Sequence, residues 1–543
     1  MDPAPTSDRR AQAISGIDRV WDALVIGGGV NGLAVAWDLA LGGASVLIVD
    51  KGDWGSGTSS WSSRMVHGGL KYLEKYDVRL VRESLREREW LLQSAPHLVK
   101  PLPFLLPFYK GGAHSKTALR AGMIAYDVLS FDKSVPRHTI LSRDEVIAEL
   151  PHIRTEGLQG AARYYDAQVE YSERLCVELL LGAQAAGAVA INHMKVERLI
   201  LDGDRVTGAV AVDEIDGRRH EIAARTVVNV TGPWLDDVFF GTEMSHRRWI
   251  GGTKGTHLVV PRFPGAPTEA MYYESDDGRP MMVLPWLDRI MIGSTDVRFS
   301  GDLDTVSADS DELDYILYET CKVFPECGLT RDSIEFWYTG VRPLPYVDAE
   351  KTADISRRHE VVDHAPKARG LVSVVGGKLT TFRAVAKHVR GALRPYLRVG
   401  SKAMSKVVFP GAGPVPDLTD IPADVATRWV RIYGSRAAGI AELYRNDAQA
   451  RRIIDDELAL AVAEVLFVIR TEEAVRLNDV VFRRVMTGWQ PDLGASSVED
   501  VADVMAGELG WDAQRRFDEL ANYARYLRRF QVMEETHAAA HRN

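Results

Sequence analysis

Cysteine is scarce in this sequence, which has three cysteines among 543 residues: Cys176, Cys321 and Cys327. They form neither a Cys-x-x-Cys pair nor a cluster with metal-ligand spacing. We therefore predict no metal site and interpret all three as structural thiols of a protein in a reducing compartment. Acidic residues outnumber basic ones, giving a formal net charge of −9, so electrostatics provide no reason to expect nucleic acid as a partner.

Long apolar runs are also missing. The longest candidate, residues 458–469, is interrupted by Glu464 and predicts a buried helix rather than a membrane span. Residues 1–20 are polar and have no apolar centre, which indicates a mobile tail rather than a secretory signal. These absences favour a cytoplasmic globular protein, and its 543 residues predict two or three domains.

The most informative stretch that is present covers residues 21–50. An apolar strand over residues 22–26 leads into a glycine turn, which is followed by a helix over about residues 30–41 and a second strand over residues 45–49. The N-terminus of that helix would direct its free N–H groups and its dipole at an anion in front of it.

Three glycines in this stretch have the Gly-x-Gly-x-x-Gly spacing. Gly27 permits a tight turn, Gly29 lets the backbone approach a pyrophosphate, and Gly32 lets helix and strand pack closely. Asp50 ends the second strand, where a carboxylate can accept hydrogen bonds from ribose hydroxyls. The context predicts a dinucleotide site and argues against a 2′-phosphorylated nucleotide.

Hydroxyl side chains dominate the stretch that follows, residues 58–63. Directly beyond a dinucleotide-binding unit, they are predicted to hold the rest of the cofactor, and the residues after them are predicted to face whatever it reacts with. The cofactor contacts predicted here are Thr58, Ser59, Ser60 and Ser63, and the residues on the reactive side are His67, Lys71 and Tyr72.

The pattern Gly-Thr-Ser-Ser-x-Ser-Ser, followed by His-Gly-Gly-Leu-Lys-Tyr-Leu-Glu, resembles the FAD-dependent glycerol-3-phosphate dehydrogenases of the quinone-linked type. Further blocks of that family follow in order, at residues 229–234, 254–257, 292–296, 340–344 and 376–383. The resemblance covers about residues 20–530. It implies FAD as cofactor and an α/β fold: a Rossmann-like FAD-binding domain with an inserted antiparallel β-sheet substrate domain, and a C-terminal α-helical domain.

The sequence pattern divides the chain in a compatible way. Short apolar strands at residues 257–260, 281–284 and 289–292 predict an antiparallel sheet. After a linker at residues 410–416, apolar residues recur at helical spacing. We expect an interleaved FAD-binding and substrate region at residues 21–408, its substrate part mainly at about 90–160 and 235–345, and a helical domain at residues 409–543.

A second strand, turn and helix are predicted around residues 371–383. Gly377 lets the backbone approach a ligand, and Lys378 and Thr380 lie in the first turn of the helix, which suits an electron-rich group such as a reduced flavin ring. Gly232, in the turn after a valine-rich strand, is the other predicted contact near the flavin.

A phosphate monoester requires fixed cations, and arginine suits it best because its planar fork can bind two oxygens. The candidates are Lys71, Arg342, Arg357 and Lys378, of which the resemblance favours Arg342 and Lys378. Lys71 stands where the family usually has arginine, so the charge is kept but the bidentate geometry is not.

Oxidation of a secondary alcohol requires a hydride acceptor, which a flavin provides at N5, and a base that takes the hydroxyl proton. His67 and His257 lie inside motif blocks and either could be the base or an orienting donor; with Arg342 they are the predicted catalytic residues. The resemblance implies oxidation of sn-glycerol 3-phosphate to dihydroxyacetone phosphate, with electrons passed to a quinone.

Three alternatives remain open at this point. A glycerol-3-phosphate oxidase would pass the electrons to oxygen and produce hydrogen peroxide. An amine or amino-acid oxidase would use the same fold but recognise a carboxylate. A non-catalytic FAD-binding interaction protein is a third alternative, against which the retained His67, His257, Arg342 and Lys378 argue.

The quinone role implies peripheral attachment to the inner face of the cytoplasmic membrane, and a homodimer is left open. Two segments, residues 102–109 with the basic residues after them and residues 526–530, combine apolar and basic side chains. That combination is typical of interfacial segments, so we predict membrane contact there.

Overall fold

The computed structural model describes residues 6–74, 76–111, 116–348 and 355–532. Its first sheet is built on the predicted dinucleotide unit. The strand Trp21–Ile26 pairs in parallel with Val46–Val49 on one side and with Arg219–Asn229 on the other. Val189–Ile191 and Leu371–Val375 extend the parallel sheet at either end, and Glu360–Asp363 adds an antiparallel edge.

Both faces of this sheet are covered, which explains why its strands are near-continuous apolar runs. The helices Val30–Leu41, Ser172–Ala185 and Phe382–Leu393 share one core with the first face. The hairpin formed by Met194–Asp202 and Arg205–Asp213 contributes to the core on the second face. The predicted helix at residues 30–41 and strands at residues 22–26 and 371–375 are confirmed.

The second sheet is mainly antiparallel, as predicted. It draws its strands from residues 65–66, 99–169 and 253–342, beside the expected 90–160 and 235–345. They are Met65–Val66, Val99–Tyr109, Thr139–Ser142, Leu158–Val169, Thr253–Val260, Ala270–Glu274, Pro280–Trp286, Arg289–Gly293, Val297–Arg298 and Phe336–Arg342. The helices Lys71–Glu74, Val78–Ser94, Lys116–Leu129, Arg143–Glu149 and Ser310–Val323 accompany it.

The C-terminal part is helical, as expected from its apolar periodicity. Its helices are Ala423–Tyr433, Ala437–Asn446, Val462–Thr471, Leu477–Arg483, Val498–Leu509 and Ala513–Tyr526, with a small hairpin of Ile453–Asp455 and Leu460–Ala461.

Buried ion pairs join this helical part to the loop after Asp50. Asp53 accepts hydrogen bonds from Arg483 Nε at 2.5 Å and from both terminal nitrogens of Arg484 at 2.8 and 3.0 Å. Nearby, Arg174 holds Glu472 in a bidentate pair at 2.5 and 2.8 Å. Although burial opposes it, the charge of Arg174 lowers the pKa of Glu472 to about 2. Because breaking one side of a buried pair costs about 3–5 kcal/mol, these contacts fix the helical part on the cofactor domain.

Within the segment expected to be a mobile tail, the structure forms the helix Thr6–Ser15. Arg10 fixes it by donating two hydrogen bonds to Asp213, at 2.8 and 3.0 Å. Ala13 and Ile14 also pack against the core, so ion pairs and a small apolar contact together hold a helix whose sequence is mainly polar.

The prediction of an interfacial segment at residues 102–109 is wrong, and the apolar end of the segment at residues 526–530 is also turned inward. Residues 102–109 belong to the strand Val99–Tyr109, in which Phe104, Leu106 and Phe108 are buried. At residues 526–530, Phe530 is buried and its ring stacks on Phe482 with centroids 5.8 Å apart. No helix within the described ranges is long and apolar enough to cross a membrane.

Candidate functional site

A cavity of about 2110 Å³ opens where the carboxyl ends of the parallel strands face the second sheet. That is larger than the roughly 300–1,000 Å³ of a typical ligand pocket, so it has room for a large cofactor and a second molecule. Sixteen of the eighteen predicted site residues line this cavity, and the other two, Gly32 and Ser60, do not: the sixteen are Gly27, Gly29, Asp50, Thr58, Ser59, Ser63, His67, Lys71, Tyr72, Gly232, His257, Arg342, Arg357, Gly377, Lys378 and Thr380.

The glycine turn at one end of the cavity has the geometry that a dinucleotide requires. Gly27 has φ +109°, a conformation that favours glycine. A Cβ atom on Gly32 would lie 1.8 Å from the Gly27 carbonyl oxygen, so the helix can start this close to the strand only without a side chain there. Gly32 does not line the cavity; it serves packing, as its place in the motif predicts.

Asp50 lies beside this turn at the edge of the cavity. Its carboxylate accepts hydrogen bonds from the backbone N–H groups of Gly28 at 2.5 Å and Gly52 at 2.7 Å. Burial raises the pKa of Asp50, and these two hydrogen bonds oppose that effect.

A buried polar atom of the cavity lining has no hydrogen-bond partner among the described residues. The carbonyl oxygen of the Asn31 side chain is buried and has no hydrogen-bond partner among the described residues, although Asn31 lines the cavity. Gly377, with φ +106°, is the neighbour that leaves it room, since a Cβ there would lie 2.7 Å from Asn31 Nδ2. Buried polar groups normally have partners, so the free oxygen fits a bound ligand in the position of a dinucleotide.

The predicted hydroxyl cluster has several different roles. Ser59 Oγ accepts a hydrogen bond from Val30 N at 3.0 Å at the start of the helix Val30–Leu41. Thr58 donates to the Val341 carbonyl oxygen at 2.7 Å and thereby joins the loop to the second sheet. Ser60 differs from the prediction: it is buried, donates to the Gly55 carbonyl oxygen at 2.7 Å and does not line the cavity, so its hydroxyl stabilises the loop itself.

His257 approaches the cavity from the second sheet, in the strand Thr253–Val260. Its Nε2 lies 2.7 Å from Ser63 Oγ, and its ring stacks on Tyr338 with centroids 5.0 Å apart. Burial, together with the charges of Arg342 and Arg64, lowers the pKa of His257 to about 3. The imidazole is therefore neutral near pH 7.

Arg342 lies at the end of the strand Phe336–Arg342 and is held from several sides. It donates to Asp296 Oδ1 at 3.2 Å, to Ser294 Oγ at 2.6 Å and to the Thr295 carbonyl oxygen at 3.0 Å. Gly255 on the neighbouring strand leaves space for it, since a Cβ there would lie 2.3 Å from its terminal nitrogen. The guanidinium is thus fixed in orientation before any ligand arrives.

Two more cations share this end of the cavity. Arg357 donates to the other oxygen of Asp296 at 3.0 Å, so one carboxylate holds both arginines. Lys378 Nζ lies 3.8 Å from the centre of the Tyr72 ring and has no carboxylate partner among the described residues. Burial and the charge of Arg357 lower the pKa of Lys378 to about 7. Three cations with one shared carboxylate leave an excess of positive charge that suits an anion.

Lys71 differs from these three because its charge is already matched. Its ammonium group donates to the Gly278 carbonyl oxygen at 3.0 Å and lies 3.5 Å from a carboxylate oxygen of Glu274. The resembling family usually has arginine at this position. In this chain the position holds a lysine that is paired within the protein.

His67 is held by residues that the sequence did not single out. Its backbone N–H donates to Thr380 Oγ1 at 3.2 Å, and the next residue, Gly68, donates to Asp166 Oδ1 at 3.1 Å. Asp166 also accepts hydrogen bonds from Arg88 at 2.8 Å and from Tyr126. Burial lowers the pKa of His67 to about 4 against the opposing charge of Asp166.

Comparison with known proteins agrees with this geometry. Residues 22–390 match the family model described as FAD dependent oxidoreductase, and residues 372–516 match the C-terminal domain of alpha-glycerophosphate oxidase. A glycerol-3-phosphate dehydrogenase of Synechocystis is 39% identical over 93% of this chain and 96% of its own length. An aerobic glycerol-3-phosphate dehydrogenase of Staphylococcus aureus is 30% identical over 86% of each chain.

A solved structure matches along the whole chain. The glycerol-3-phosphate dehydrogenase of Bacillus halodurans, determined in complex with FAD, is 26% identical, with a TM-score of 0.78 over 99% of this chain and 100% of that one. With the dinucleotide turn, the cation cluster and these relatives in agreement, the chain belongs to the family of FAD-dependent glycerol-3-phosphate dehydrogenases.

Proposed function

We propose that the protein oxidises sn-glycerol 3-phosphate to dihydroxyacetone phosphate and passes the electrons to a quinone. One observation supports this substrate: Arg342, Arg357 and Lys378 line the same cavity as the dinucleotide turn. A phosphate dianion matches their excess charge, and each arginine fork can bind two of its oxygens.

FAD fits the residues that line the rest of the cavity. Gly27, Gly29 and Asp50 would hold its adenosine and pyrophosphate part, and the orphaned oxygen of Asn31 faces the same space. The contacts nearer the flavin would come from Ser59, Ser63, Gly232, Gly377 and Thr380. Bound FAD supplies the hydride acceptor for the alcohol carbon.

His67 is our candidate for the base that takes the hydroxyl proton. Its pKa of about 4 leaves the imidazole neutral at pH 7 and able to accept a proton, and its ring has no hydrogen-bond partner among the described residues. His257 is neutral as well, but its Nε2 is engaged by Ser63. We therefore assign His257 an orienting role toward the Ser63 hydroxyl.

The pH dependence of kcat/KM is expected to rise through about pH 6 and fall through about pH 7. The rising limb follows the second ionisation of the substrate phosphate, whose pKa is about 6. The falling limb follows Lys378, which loses its charge above its pKa of about 7. Lys378→Met should remove the falling limb, whereas Lys71→Met should keep it because Lys71 is already paired. A falling limb that persists unchanged in Lys378→Met contradicts this assignment.

An anaerobic titration with sn-glycerol 3-phosphate tests the function as a whole. We expect the flavin absorbance to bleach with this substrate and to stay unchanged with glycerol, which lacks the phosphate that the cations bind. Adding a soluble quinone should then restore the absorbance faster than adding oxygen does. A flavin that stays oxidised contradicts the proposed substrate.

An oxidase is the second candidate, since residues 372–516 match a domain described from alpha-glycerophosphate oxidase. It predicts the same bleaching but faster reoxidation by oxygen, with one hydrogen peroxide formed for each substrate consumed. The reoxidation step of the titration therefore separates the two acceptors.

A further inference from the structure

Two of the three cysteines lie next to each other. Cys321 is in the last turn of the helix Ser310–Val323, and Cys327 follows four residues after the helix ends. Both are free thiols, and their Sγ atoms are 3.0 Å apart. That separation is about 1 Å longer than the ~2.05 Å of a disulfide bond, so a small movement of the two side chains is enough to join the sulfurs.

The chain reversal that brings the thiols together is fixed by the backbone. Phe324 donates its N–H to the Thr320 carbonyl oxygen at 3.0 Å, and Cys327 donates to the Phe324 carbonyl oxygen at 3.0 Å. The Phe324 side chain is buried and packs edge-on against Phe263, with ring centroids 5.4 Å apart. The two sulfurs are therefore held near each other in the reduced protein, before any oxidant arrives.

The two thiols differ in exposure. Cys327 is 3% exposed, whereas Cys321 is half-buried, so a small oxidant meets Cys321 first. Burial and the neighbouring Cys327 raise the pKa of the Cys321 thiol to about 12. Little thiolate is therefore present near pH 7, and we expect the first oxidation step to be slow. The second step joins adjacent sulfurs, and we expect it to be faster.

Cys176 provides an internal comparison. It is fully buried in the core that the first sheet shares with its helices, whereas Cys327 belongs to a separate core beside the second sheet. Burial raises the pKa of Cys176 as well. The sequence has three cysteines, and the other two contact each other, so Cys176 has neither the exposure nor the neighbouring thiol that oxidation to a disulfide requires.

We propose that Cys321 and Cys327 form a reversible disulfide when the protein meets hydrogen peroxide. The sulfur of Cys321 attacks one peroxide oxygen and becomes a sulfenic acid, while the other oxygen leaves as water. The sulfur of Cys327 then attacks that of Cys321, the S–S bond forms, and the hydroxyl group leaves as a second water. In total, two thiols and one hydrogen peroxide give one disulfide and two waters, and a dithiol reductant reverses the reaction by exchange.

This oxidant fits the chemistry of a flavoprotein. Reduced flavin that is reoxidised by oxygen rather than by another acceptor yields hydrogen peroxide, which is small enough to reach a half-buried thiol. The disulfide itself does not rest on the proposed function, because peroxide from any source gives the same product.

The other end of the same helix supports the substrate site. Glu312 accepts a hydrogen bond from Thr295 Oγ1 at 2.6 Å, and the Thr295 carbonyl oxygen accepts one from Arg342. Cys321 lies nine residues further along the helix, which corresponds to a rise of about 14 Å. We therefore expect the disulfide to form without moving Arg342 and to leave kcat/KM unchanged. A loss of kcat/KM that follows oxidation would contradict this expectation.

Thiol counting on the full-length holoprotein tests the proposal. The protein is reduced, freed of reductant and exposed to hydrogen peroxide without substrate, and its thiols are titrated after unfolding. We expect the count to fall from three per chain to one, and to return to three after treatment with dithiothreitol. Mass spectrometry of the digested protein should find a link between the peptides that carry Cys321 and Cys327, with Cys176 as the remaining thiol.

Three serine variants provide matched controls. Cys176→Ser should form the same disulfide and fall from two thiols to none. Cys321→Ser should keep both of its thiols, because the two that remain are buried in separate cores. Cys327→Ser leaves Cys321 without its partner, so a sulfenic acid should accumulate and react with dimedone. Flavin content is measured on each variant to show that it is folded.

Three results would overturn the proposal. In the first, all three thiols remain after an exposure to peroxide that oxidises free glutathione completely. In the second, Cys176 is lost as readily as Cys321 and Cys327. In the third, the linked peptides come from two chains, which a non-reducing gel would show as a covalent dimer.

Discussion

Arg342→Met is expected to lower kcat/KM for glycerol 3-phosphate by about a thousandfold, the equivalent of about 4 kcal/mol. The guanidinium is fixed by Asp296, Ser294 and the Thr295 carbonyl oxygen before substrate arrives, so its loss removes an oriented cation and not only a charge. It also removes one of the two arginines that neutralise Asp296, which adds negative charge to the phosphate site. Steady-state kinetics with a soluble electron acceptor measures the effect.

Two further variants make this result specific. Arg342→Lys keeps the charge but cannot present a fork, so it should fall between Arg342→Met and the unsubstituted protein. Arg331→Met removes an arginine whose pair with Asp314 is about half exposed, at 48% and 58%, and should leave kcat/KM unchanged. A decrease of less than tenfold in Arg342→Met would contradict the role of Arg342 in phosphate binding.

Gly32→Ala is expected to abolish retention of FAD during purification. The added Cβ would lie 1.8 Å from the Gly27 carbonyl oxygen, and backbone cannot yield as a side chain can. Either the helix Val30–Leu41 moves away from the strand Trp21–Ile26 or the glycine turn changes shape, and both alter the surface that faces the pyrophosphate. The ratio of flavin absorbance to protein absorbance reports the loss.

Gly391→Ala is the control for this variant. Gly391 also lies inside a helix, Phe382–Leu393, but a Cβ there meets nothing within 4 Å. It should retain FAD fully and gain about 0.5–1 kcal/mol of stability, since glycine is unfavourable in a helix interior. Full flavin content in Gly32→Ala would show that the turn tolerates a side chain, contrary to our expectation.

The sequence predicts local structure better than the contacts that complete the site. The glycine turn, Asp50 and the strand Leu371–Val375 follow from short patterns, and the structure has them where those patterns place them. The prediction for residues 102–109 is wrong because an apolar run with nearby basic residues has the same composition in a buried strand and at a membrane surface. Ser60 was grouped with its neighbours because the sequence cannot tell which hydroxyls turn back onto their own loop.

The supporting residues of the site were missed for a different reason. Asp166 accepts hydrogen bonds from Arg88, from Tyr126 and from the N–H of Gly68, the residue after His67, and these partners come from separate segments of the chain. Asp296 likewise joins Arg342 and Arg357 across separate segments. Contacts of this kind depend on the three-dimensional arrangement of distant segments. The one available signal was Asp166, an acidic residue that follows two tyrosines in the strand Leu158–Val169.

The strand order of the first sheet determines how much of the chain must be synthesised before this sheet can fold. Trp21–Ile26 pairs with Arg219–Asn229, and that strand pairs with Leu371–Val375, so the sheet remains incomplete until translation has passed residue 375. Asp53 obtains its partners later still, when Arg483 and Arg484 emerge. Nascent domains fold as units once their elements are available. For most of synthesis the glycine turn therefore lacks the neighbouring strands and the ion pairs that support it in the folded protein. We therefore expect FAD to be loaded only after Arg483 and Arg484 have emerged from the ribosome.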